Sequence, residues 1–220
     1  MGNGIGTGQD VGGEDEIPLR ERKKRATRQR ISNVATALFK ERGFDQVSVA
    51  EVARAAEVST MTVFNYFPRK EDLFFDRIPE FVEVFSGAVR HRPPGDTPLA
   101  ALRRLTLELL DQHHPLAGLT DSFPQFWQVV LDSPALRARA REGLEEVENA
   151  LSDALTDTAP DTPDPGLTAA LTVAAYRAVH VTTGRRLFAG EGAADVTEDH
   201  RARMNAAFDA LERALMEGSH

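Results

Sequence analysis

The chain has 220 residues, of which 41% are hydrophobic, so it can bury one or two sizeable cores. It contains no cysteine, which excludes a disulfide framework and a cysteine-based metal site and agrees with a reducing, cytoplasmic location. No apolar run approaches the roughly 18 residues of a membrane span, and the Gly-rich, acidic start lacks the features of a signal peptide. We therefore expect no membrane association, and we interpret residues 1–18 as a disordered tail.

The charge is distributed unevenly along the chain. Residues 20–70 carry 12 Lys/Arg against 5 Asp/Glu, whereas the whole chain has a net charge of −8. A basic segment on an otherwise acidic protein is typical of a part that binds a polyanion such as DNA or RNA. The alternative is a basic run that is simply exposed to solvent before a helix.

Apolar residues recur at helical spacing along the first third of the chain, and strand signals are scarce. The first predicted helix has one apolar face from Ile31 to Phe39, with Thr27 as its cap and Gly43 after its end. Ser48 and Glu51 form a capping box that opens a second helix, and Ser59 caps a third that ends at Pro68. A long helix is expected to start at Lys70 and to continue to about His91.

The rest of the chain predicts further helices separated by short loops. Thr97 caps one helix, an aromatic helix covers about 123–130, and Pro134 opens another. A loop with three prolines spans 157–166, and two final helices cover about 167–189 and 196–217. The sequence thus predicts an all-α fold of about nine helices, with a first domain at 19–71 and a larger helical domain at 72–217.

Two short helices joined by a tight turn, between residues 48 and 67, have the pattern of a helix-turn-helix unit. In such units the second helix lies in the major groove, where each base pair shows a distinct set of donors and acceptors. Val58, Val63 and Phe67 have the spacing to pack inward, which leaves a more polar outer face. The alternative is a pair of ordinary core helices. The outer face consists of Thr60, Met61, Thr62, Asn65 and Tyr66.

Residues 27–74 resemble the DNA-binding domain of the TetR family of transcriptional regulators, in an AcrR-like form. The resemblance depends on the order and spacing of short pieces: Ala37–Phe39, Arg42–Phe44, Val47–Ala53, Val58–Ser59, Tyr66–Pro68, Lys70–Glu71 and Leu73. It implies all-α subunits that form a homodimer through their last two helices. A three-helix head would bind a palindromic operator in double-stranded DNA, and a helical body would bind a small effector.

The resemblance also implies two kinds of DNA contact. Base edges would be read by the third helix, and phosphates would be bound by hydroxyl and cationic groups around it, including those at the start of the first helix. The implied base contacts are Thr60, Met61, Thr62 and Asn65. The implied phosphate contacts are Thr27, Arg28, Ser48, Tyr66, Arg69 and Lys70.

Three residues depart from the family pattern. Glu57 stands where a turn glycine is usual, and a left-handed conformation costs a residue with a side chain about 1–2 kcal/mol. Met61 replaces a small residue, and Arg69 replaces a capping Ser or Asn. The basic run Arg22–Arg25 precedes the predicted first helix. It is either an arm along the DNA or a flank exposed to solvent.

The body carries apolar and aromatic side chains that fit an effector cavity, with a few polar groups on its eighth helix. A plain hydrophobic core uses the same residue types. The residues expected to line the effector site are Phe81, Phe85, Leu105, Leu109, Phe123, Phe126, Trp127, Tyr176, Arg177 and His180.

Three short pieces, Thr62–Phe67, Arg92–Gly95 and Arg186–Gly190, resemble a TetR subgroup whose C-terminal domain is similar to that of the mycofactocin-system regulator. That resemblance implies an acyl-CoA-like ligand, with Arg177, Arg185 and Arg186 at the mouth of its tunnel. Alanines along the last two helices fit a close four-helix dimer interface, or equally tight packing within one subunit.

We therefore expect a repressor that leaves a palindromic operator when it binds a small apolar or acyl-type effector, with no cofactor and no metal. No phosphate-binding Gly loop, nucleophile elbow or HExxH motif occurs, and the adjacent His113 and His114 face different directions on a helix. The alternatives are a helical DNA-binding dimer without a ligand and, less in keeping with the sequence, an all-α enzyme.

Overall fold

The computed structural model describes residues 18–217 apart from residue 163, and it leaves out the side chains of residues 216 and 217. Within this range the chain forms nine α-helices, two 3₁₀ turns and no strand, which confirms the all-α prediction. The predicted tail lies outside the described residues except for Pro18. The helices are α1 (Leu19–Arg42), α2 (Val49–Ala55), α3 (Thr60–Tyr66), α4 (Ile78–Arg90), α5 (Pro98–Asp111), α6 (Phe123–Asp132), α7 (Pro134–Thr158), α8 (Pro165–Phe188) and α9 (Ala193–Glu217).

The first helix is longer than predicted. It begins at Leu19, so Thr27 lies inside α1 and the prediction that Thr27 caps the helix is wrong. Pro18 accepts the first backbone hydrogen bonds of the helix, and no glycine or proline interrupts the chain before Gly43. Gly43, with φ +84°, ends α1. The basic run Arg22–Arg25 is therefore part of the helix itself.

The segment after α3 is not the continuous helix expected from Lys70. It forms a 3₁₀ turn at Glu71–Leu73, and α4 begins only at Ile78. Pro79 explains the break, because proline has no N–H for a helical bond to residue 75 and is tolerated only in the first turn of a helix. The head and α4 are thus joined by a short link that contains a 3₁₀ turn but no α-helix.

Three helices of the body start at a polar cap, of which Thr97 was predicted and the caps of α7 and α8 were not. Thr97 accepts a hydrogen bond from the Ala100 N–H at 3.1 Å. Ser133 and Asp164 cap α7 and α8 in the same way, each before a proline in the first turn.

One hydrophobic cluster holds the head together and extends into the body. Its centre is formed by Ile31 and Phe39 of α1, Val52 of α2 and Val63 of α3, all fully buried. The same cluster includes Leu136 at the start of α7. Because body residues complete the head core, the domain boundary at residues 71 and 72 stays a prediction.

A second hydrophobic cluster fills the body between α4, α5, α7, α8 and α9. Phe85, Leu102, Leu151 and Phe208 are buried in it. Among the described residues, no helix has both the length and the apolar character needed to cross a membrane.

Candidate nucleic-acid interface

The second helix starts at the predicted capping box. The Ser48 hydroxyl accepts a hydrogen bond from the Glu51 N–H at 3.2 Å, and Glu51 Oε2 accepts one from the Ser48 N–H at 2.8 Å. Arg42 of α1 donates to the other Glu51 oxygen at 2.8 Å. The Ser48 N–H bond and the Arg42 contact lower the pKa of Glu51 to about 2, so this carboxylate stays charged. These bonds fix α2 to the end of α1.

The turn between α2 and α3 is left-handed at Glu57, the position where the family usually has a glycine. Glu57 has φ +54°, and the Val58 N–H donates to the Ala53 carbonyl oxygen at 2.9 Å. This bond closes the turn in the way that usually follows a C-terminal glycine. Ser59 then caps α3 by accepting from the Thr62 N–H at 3.0 Å. The tight turn therefore forms despite its non-glycine residue.

The third helix has one buried side and one exposed side. Val63 and Phe67 are buried in the head core and Val58 is half-buried, which agrees with the predicted inner face. Of the five predicted outer residues, Thr60, Met61 and Asn65 are exposed, whereas Thr62 and Tyr66 are half-buried. The Thr62 hydroxyl lies 2.8 Å from the Ser59 hydroxyl.

Phe64 also lies on the outer face, with 45% of its surface exposed, and Met61 is 69% exposed. Sequence reasoning left Phe64 unassigned because an aromatic residue usually packs inward. Its position, four residues after Thr60 and three after Met61, is the signal that places it on the same side of the helix.

The cationic groups around α3 already have partners within the chain. Arg28 donates to the Asp76 carbonyl oxygen at 2.8 Å and lies 4.6 Å from the Phe67 ring centroid. Lys70 donates to the Phe44 carbonyl oxygen at 2.6 Å, and its partial burial lowers its pKa. Their predicted phosphate contacts stay predictions. Thr27 lies in the interior of α1, so the helix N-terminus that was expected to support its phosphate contact is not beside it.

The end of the head is tied to the body by ion pairs and ring contacts. Arg69 forms an ion pair with Glu142 of α7, and Arg139 of α7 donates to Asp72 at 2.8 Å. The Phe74 ring stacks on Phe126 of α6 with 4.5 Å between centroids. These contacts hold the helix-turn-helix unit against α6 and α7.

The structure does not bring the ten expected effector residues around one space. Phe81, Phe85 and Tyr176 form one cluster, with 4.2–5.6 Å between ring centroids, and Leu105 and Leu109 belong to the same body core. Phe126 and Trp127 instead pack against the head cluster.

The other three expected effector residues differ in their surroundings. Phe123 lies against Phe188 at the end of α8, with 6.1 Å between ring centroids. Arg177 is exposed. His180 Nδ1 lies 3.0 Å from the Tyr176 carbonyl oxygen, and its Nε2 lies 3.0 Å from the Ala117 carbonyl oxygen. The effector site stays a prediction.

In the described part of the chain, no three or more His, Cys, Asp or Glu side chains lie together in positions that could hold a metal ion.

The fold and the exposed α3 define a helix-turn-helix protein with a helical body. Residues 31–76 match the family model described as bacterial regulatory proteins, tetR family. The transcriptional regulator TcmR of Streptomyces glaucescens is 37% identical over 84 residues, which cover 38% of this chain and 37% of TcmR. The head of the chain is therefore similar to TetR-family transcriptional regulators, and the match to this curated relative spans little more than a third of that relative's length.

Two solved structures share the fold over most of the chain. A complex of SmeT with triclosan has a TM-score of 0.56 and 18% identity, covering 86% of this chain and 91% of SmeT. The FadR repressor of Thermus thermophilus in complex with lauroyl-CoA has a TM-score of 0.50 and 22% identity, covering 88% and 95%. The curated relatives TcmR, KstR and AcrR are all named as transcriptional regulators or repressors.

Proposed function

We propose that the chain is a ligand-responsive repressor that binds a palindromic operator as a homodimer and is released by a small apolar or acyl-type effector. The observation that carries the DNA-binding part is the outer face of α3, where Thr60, Met61, Phe64 and Asn65 are exposed on a helix fixed by buried residues. Within the described part of the chain, none of these four side chains forms a hydrogen bond or ion pair that would compete with DNA. A rigid helix with an unused outer face is suited to enter the major groove.

Each exposed residue of α3 has a base-edge chemistry. The Asn65 amide can form a bidentate pair with adenine, in which its N–H donates to N7 and its C=O accepts from the N6 amino group. Because the other bases do not present this pair of groups, the contact is selective for adenine. Thr60, Met61 and Phe64 offer apolar contacts to the methyl group of thymine. We infer that α3 prefers half-sites rich in A·T pairs.

A homodimer is supported by an exposed apolar stripe along α8. Leu167 is 52% exposed, Val181 43% and Phe188 43%, and Ala174 and Ala178 lie between them at helical spacing. Exposed alanines continue on α9 at positions 202, 206, 210 and 214. Large exposed apolar side chains along one side of a helix favour a partner helix, and small neighbours allow a close approach. The exposed Arg185 lies in the same row, between Val181 and Phe188.

Fewer alanines of the last two helices are available for a dimer interface than the sequence suggested. Ala169 is fully buried, and Ala175 and Ala207 pack against the body core. Those residues serve packing within the subunit. The exposed residues of the stripe are the ones that can contact a second copy of the chain.

An apolar effector is supported by the aromatic cluster at the centre of the body and by what the two similar structures bind. SmeT holds triclosan and the Thermus FadR holds lauroyl-CoA, both with a large apolar part. In this chain Phe81 and Phe85 belong to α4 and Tyr176 belongs to α8, so the ring cluster lies between these two helices. An effector that separates these rings would move α4 relative to the head.

The same ring cluster favours a second candidate function. Phe81 and Phe85 are only 4.2 Å apart between centroids, so the rings fill this space against one another. A body packed in this way suits a regulator that dimerises and binds DNA without an effector.

The DNA-binding proposal is tested by selecting bound fragments from a pool of random duplexes and sequencing them. We expect a palindrome whose half-sites lie about one helical turn apart, because two heads related by a two-fold axis read the same sequence. If no sequence is enriched at low salt, the proposal is contradicted.

The effector is tested on the selected operator with lauroyl-CoA, lauric acid and triclosan as probes. A ligand that binds the free protein better than the DNA-bound form raises its melting temperature and lowers its operator affinity. Coenzyme A without the acyl chain is the control for the polar part. If many apolar probes leave both quantities unchanged, the regulator without an effector is the better description.

A further inference from the structure

The first turns of α1 carry a dense basic surface with no partner among the described residues. Arg20, Arg22, Lys23, Lys24 and Arg25 are all exposed, and none of them takes part in an ion pair or side-chain hydrogen bond within residues 18–217. The cations nearer to α3 are different, because Arg28, Arg69 and Lys70 have partners. This surface is therefore free for a polyanion.

The residues that precede this surface have the opposite charge. Positions 1–17 contain four acidic residues and no Lys or Arg, and all four acidic residues fall within positions 10–16. The acidic residues are Asp10, Glu14, Asp15 and Glu16. Only two positions separate Glu16 from the first residue of α1.

The spacing allows the acidic segment to reach the basic surface in the same chain. The helix rises about 1.5 Å per residue, so residues 19–25 extend over roughly 9 Å. An extended segment spans about 3.3 Å per residue, so seven residues can reach over roughly 23 Å, more than twice that length. A tether this short gives an effective concentration in the millimolar range. Negative charge beside a helix N-terminus is also favoured by the helix dipole.

We propose that the acidic segment at positions 10–16 binds the basic first turns of α1 in the same chain and competes there with the phosphates of DNA. The inference rests on the proposed DNA-binding function and adds an internal regulation to it. DNA must displace the segment before α1 can neutralise phosphates. The segment therefore weakens binding to every DNA sequence by a similar factor, because the base contacts through α3 are unaffected.

Salt should weaken the internal contact together with the DNA contact. Exposed charges are screened over about 10 Å at 0.1 M salt and over about 3 Å at 1 M. The penalty imposed by the segment is thus largest at low ionic strength. Removing the negative charges should raise nonspecific affinity and make its salt dependence steeper.

The test compares the full chain with a variant in which Asp10→Asn, Glu14→Gln, Asp15→Asn and Glu16→Gln remove the four charges at constant length. A matched control removes four exposed carboxylates of the body that form no ion pair with another described residue: Glu145→Gln, Asp153→Asn, Asp157→Asn and Asp161→Asn. Both variants change the net charge equally. Fluorescence anisotropy with a labelled duplex of random sequence measures the affinity at several salt concentrations.

We expect the first variant to bind about tenfold more tightly than the full chain at roughly 50 mM salt, with the difference falling below about twofold near 300 mM. The control should change the affinity by less than about twofold. Equal gains in both variants would show an effect of net charge alone and would overturn the proposal, as would no gain in either.

A second readout does not depend on DNA binding. The amide NMR resonances of residues 10–16 in the full chain should shift between about 20 and 300 mM salt as the contact is screened. The Arg22→Gln, Lys23→Gln, Lys24→Gln variant should lose that shift. Resonances that stay at the same positions in both proteins would overturn the proposal even if DNA binds. A protein that shows the shift but binds no DNA would instead contradict the proposed function.

Discussion

The outer faces of α3 and α8 are both exposed, yet their chemistry differs. On α3 the exposed set mixes Thr60 and Asn65 with Met61 and Phe64. On α8 it consists mainly of Leu167, Leu171, Val181 and Phe188, with alanines between Leu171 and Val181 and the exposed Arg185 between Val181 and Phe188. A mixed face can satisfy the donors, acceptors and methyl groups of a DNA groove. A mainly apolar row has few such partners in DNA and fits a protein surface. Two exposed helices of one chain are thus suited to two kinds of macromolecule.

The interiors of the two regions differ as well. The head core is formed by apolar and aromatic side chains, including Phe39, Phe67 and Phe74. The body buries polar groups next to its apolar cluster, among them Thr183, whose hydroxyl lies 2.8 Å from His200 Nδ1. The head is therefore expected to be insensitive to mild acid, and the body is expected to respond to it.

The comparison of the two faces is tested most strongly by a charge on α8. Val181→Asp should convert the dimer to a monomer and weaken operator binding by more than about 100-fold, since a buried unpaired carboxylate is costly at an interface and one head binds alone. Sedimentation velocity and operator titration measure the two effects.

Leu131→Asp on α6 is the matched control for that substitution. Leu131 is 50% exposed and Val181 is 43% exposed, so both changes replace a half-exposed apolar side chain. The control should stay dimeric. Loss of the dimer in both variants would show that the α8 row has no special role.

The α3 face is tested by Asn65→Ala. We expect operator affinity to fall about 10- to 100-fold, because a bidentate base contact contributes about 1–3 kcal/mol of discrimination. Preference should relax at one base position in each half-site, and affinity for random DNA should not change. Asn33→Ala, on the exposed side of α1, is the control with the same chemical change.

A uniform loss of affinity across all operator variants would contradict a base-reading role for Asn65.

The difference between the two interiors is tested by pH. Burial, followed by the neighbouring His180, lowers the pKa of His200 to about 3, against 6.5 in an unfolded chain. Because the folded pKa is depressed, the unfolded state binds the proton more readily, and stability is lost as pH falls below 6.5. At pH 5 the loss should be about 2 kcal/mol relative to pH 7.5.

Urea unfolding at the two pH values measures this loss in the wild type and in His200→Gln. The variant should show a smaller difference between pH 5 and pH 7.5. If the variant loses as much stability between pH 7.5 and pH 5 as the wild type, a group other than His200 causes the pH response.

The smallest expected effect concerns the turn before α3. Glu57→Gly should stabilise the head by about 1 kcal/mol, because glycine removes the cost of a left-handed residue at φ +54°. The expected rise in melting temperature is about 2–4 °C. Glu145→Gly, in the middle of α7, should lower it, since glycine in a regular helix is unfavourable. A lower melting temperature for Glu57→Gly would contradict the account of this turn.

Much of the head could be predicted because its signals are local. Ser48 and Ser59 cap helices that begin one residue later, and the spacing of Val63 and Phe67 assigns the inner face. The start of α1 and the break before α4 were missed. Both depend on the position of a proline, Pro18 and Pro79, that the periodic pattern did not take into account.

The side-chain partners could not be predicted, because they come from distant parts of the chain. Lys70 contacts the carbonyl of Phe44, and Arg28 contacts that of Asp76, and no residue type marks such an acceptor. In the body the helices were predicted, but the ring partners were not: the ring centroids of Phe123 and Phe126 both lie 5.9 Å from that of Trp127, whereas only Phe123 also contacts Phe188 of α8 and only Phe126 stacks on Phe74.

The central claim is that two copies joined through α8 and α9 present two α3 helices to one operator. Hydroxyl-radical footprinting of the selected operator tests it most directly, with the wild type and Val181→Asp compared at equal protein concentration. We predict two protected half-sites about one helical turn apart for the wild type and no paired protection for the variant. Paired protection by both proteins, or a single protected half-site for the wild type, would contradict the claim.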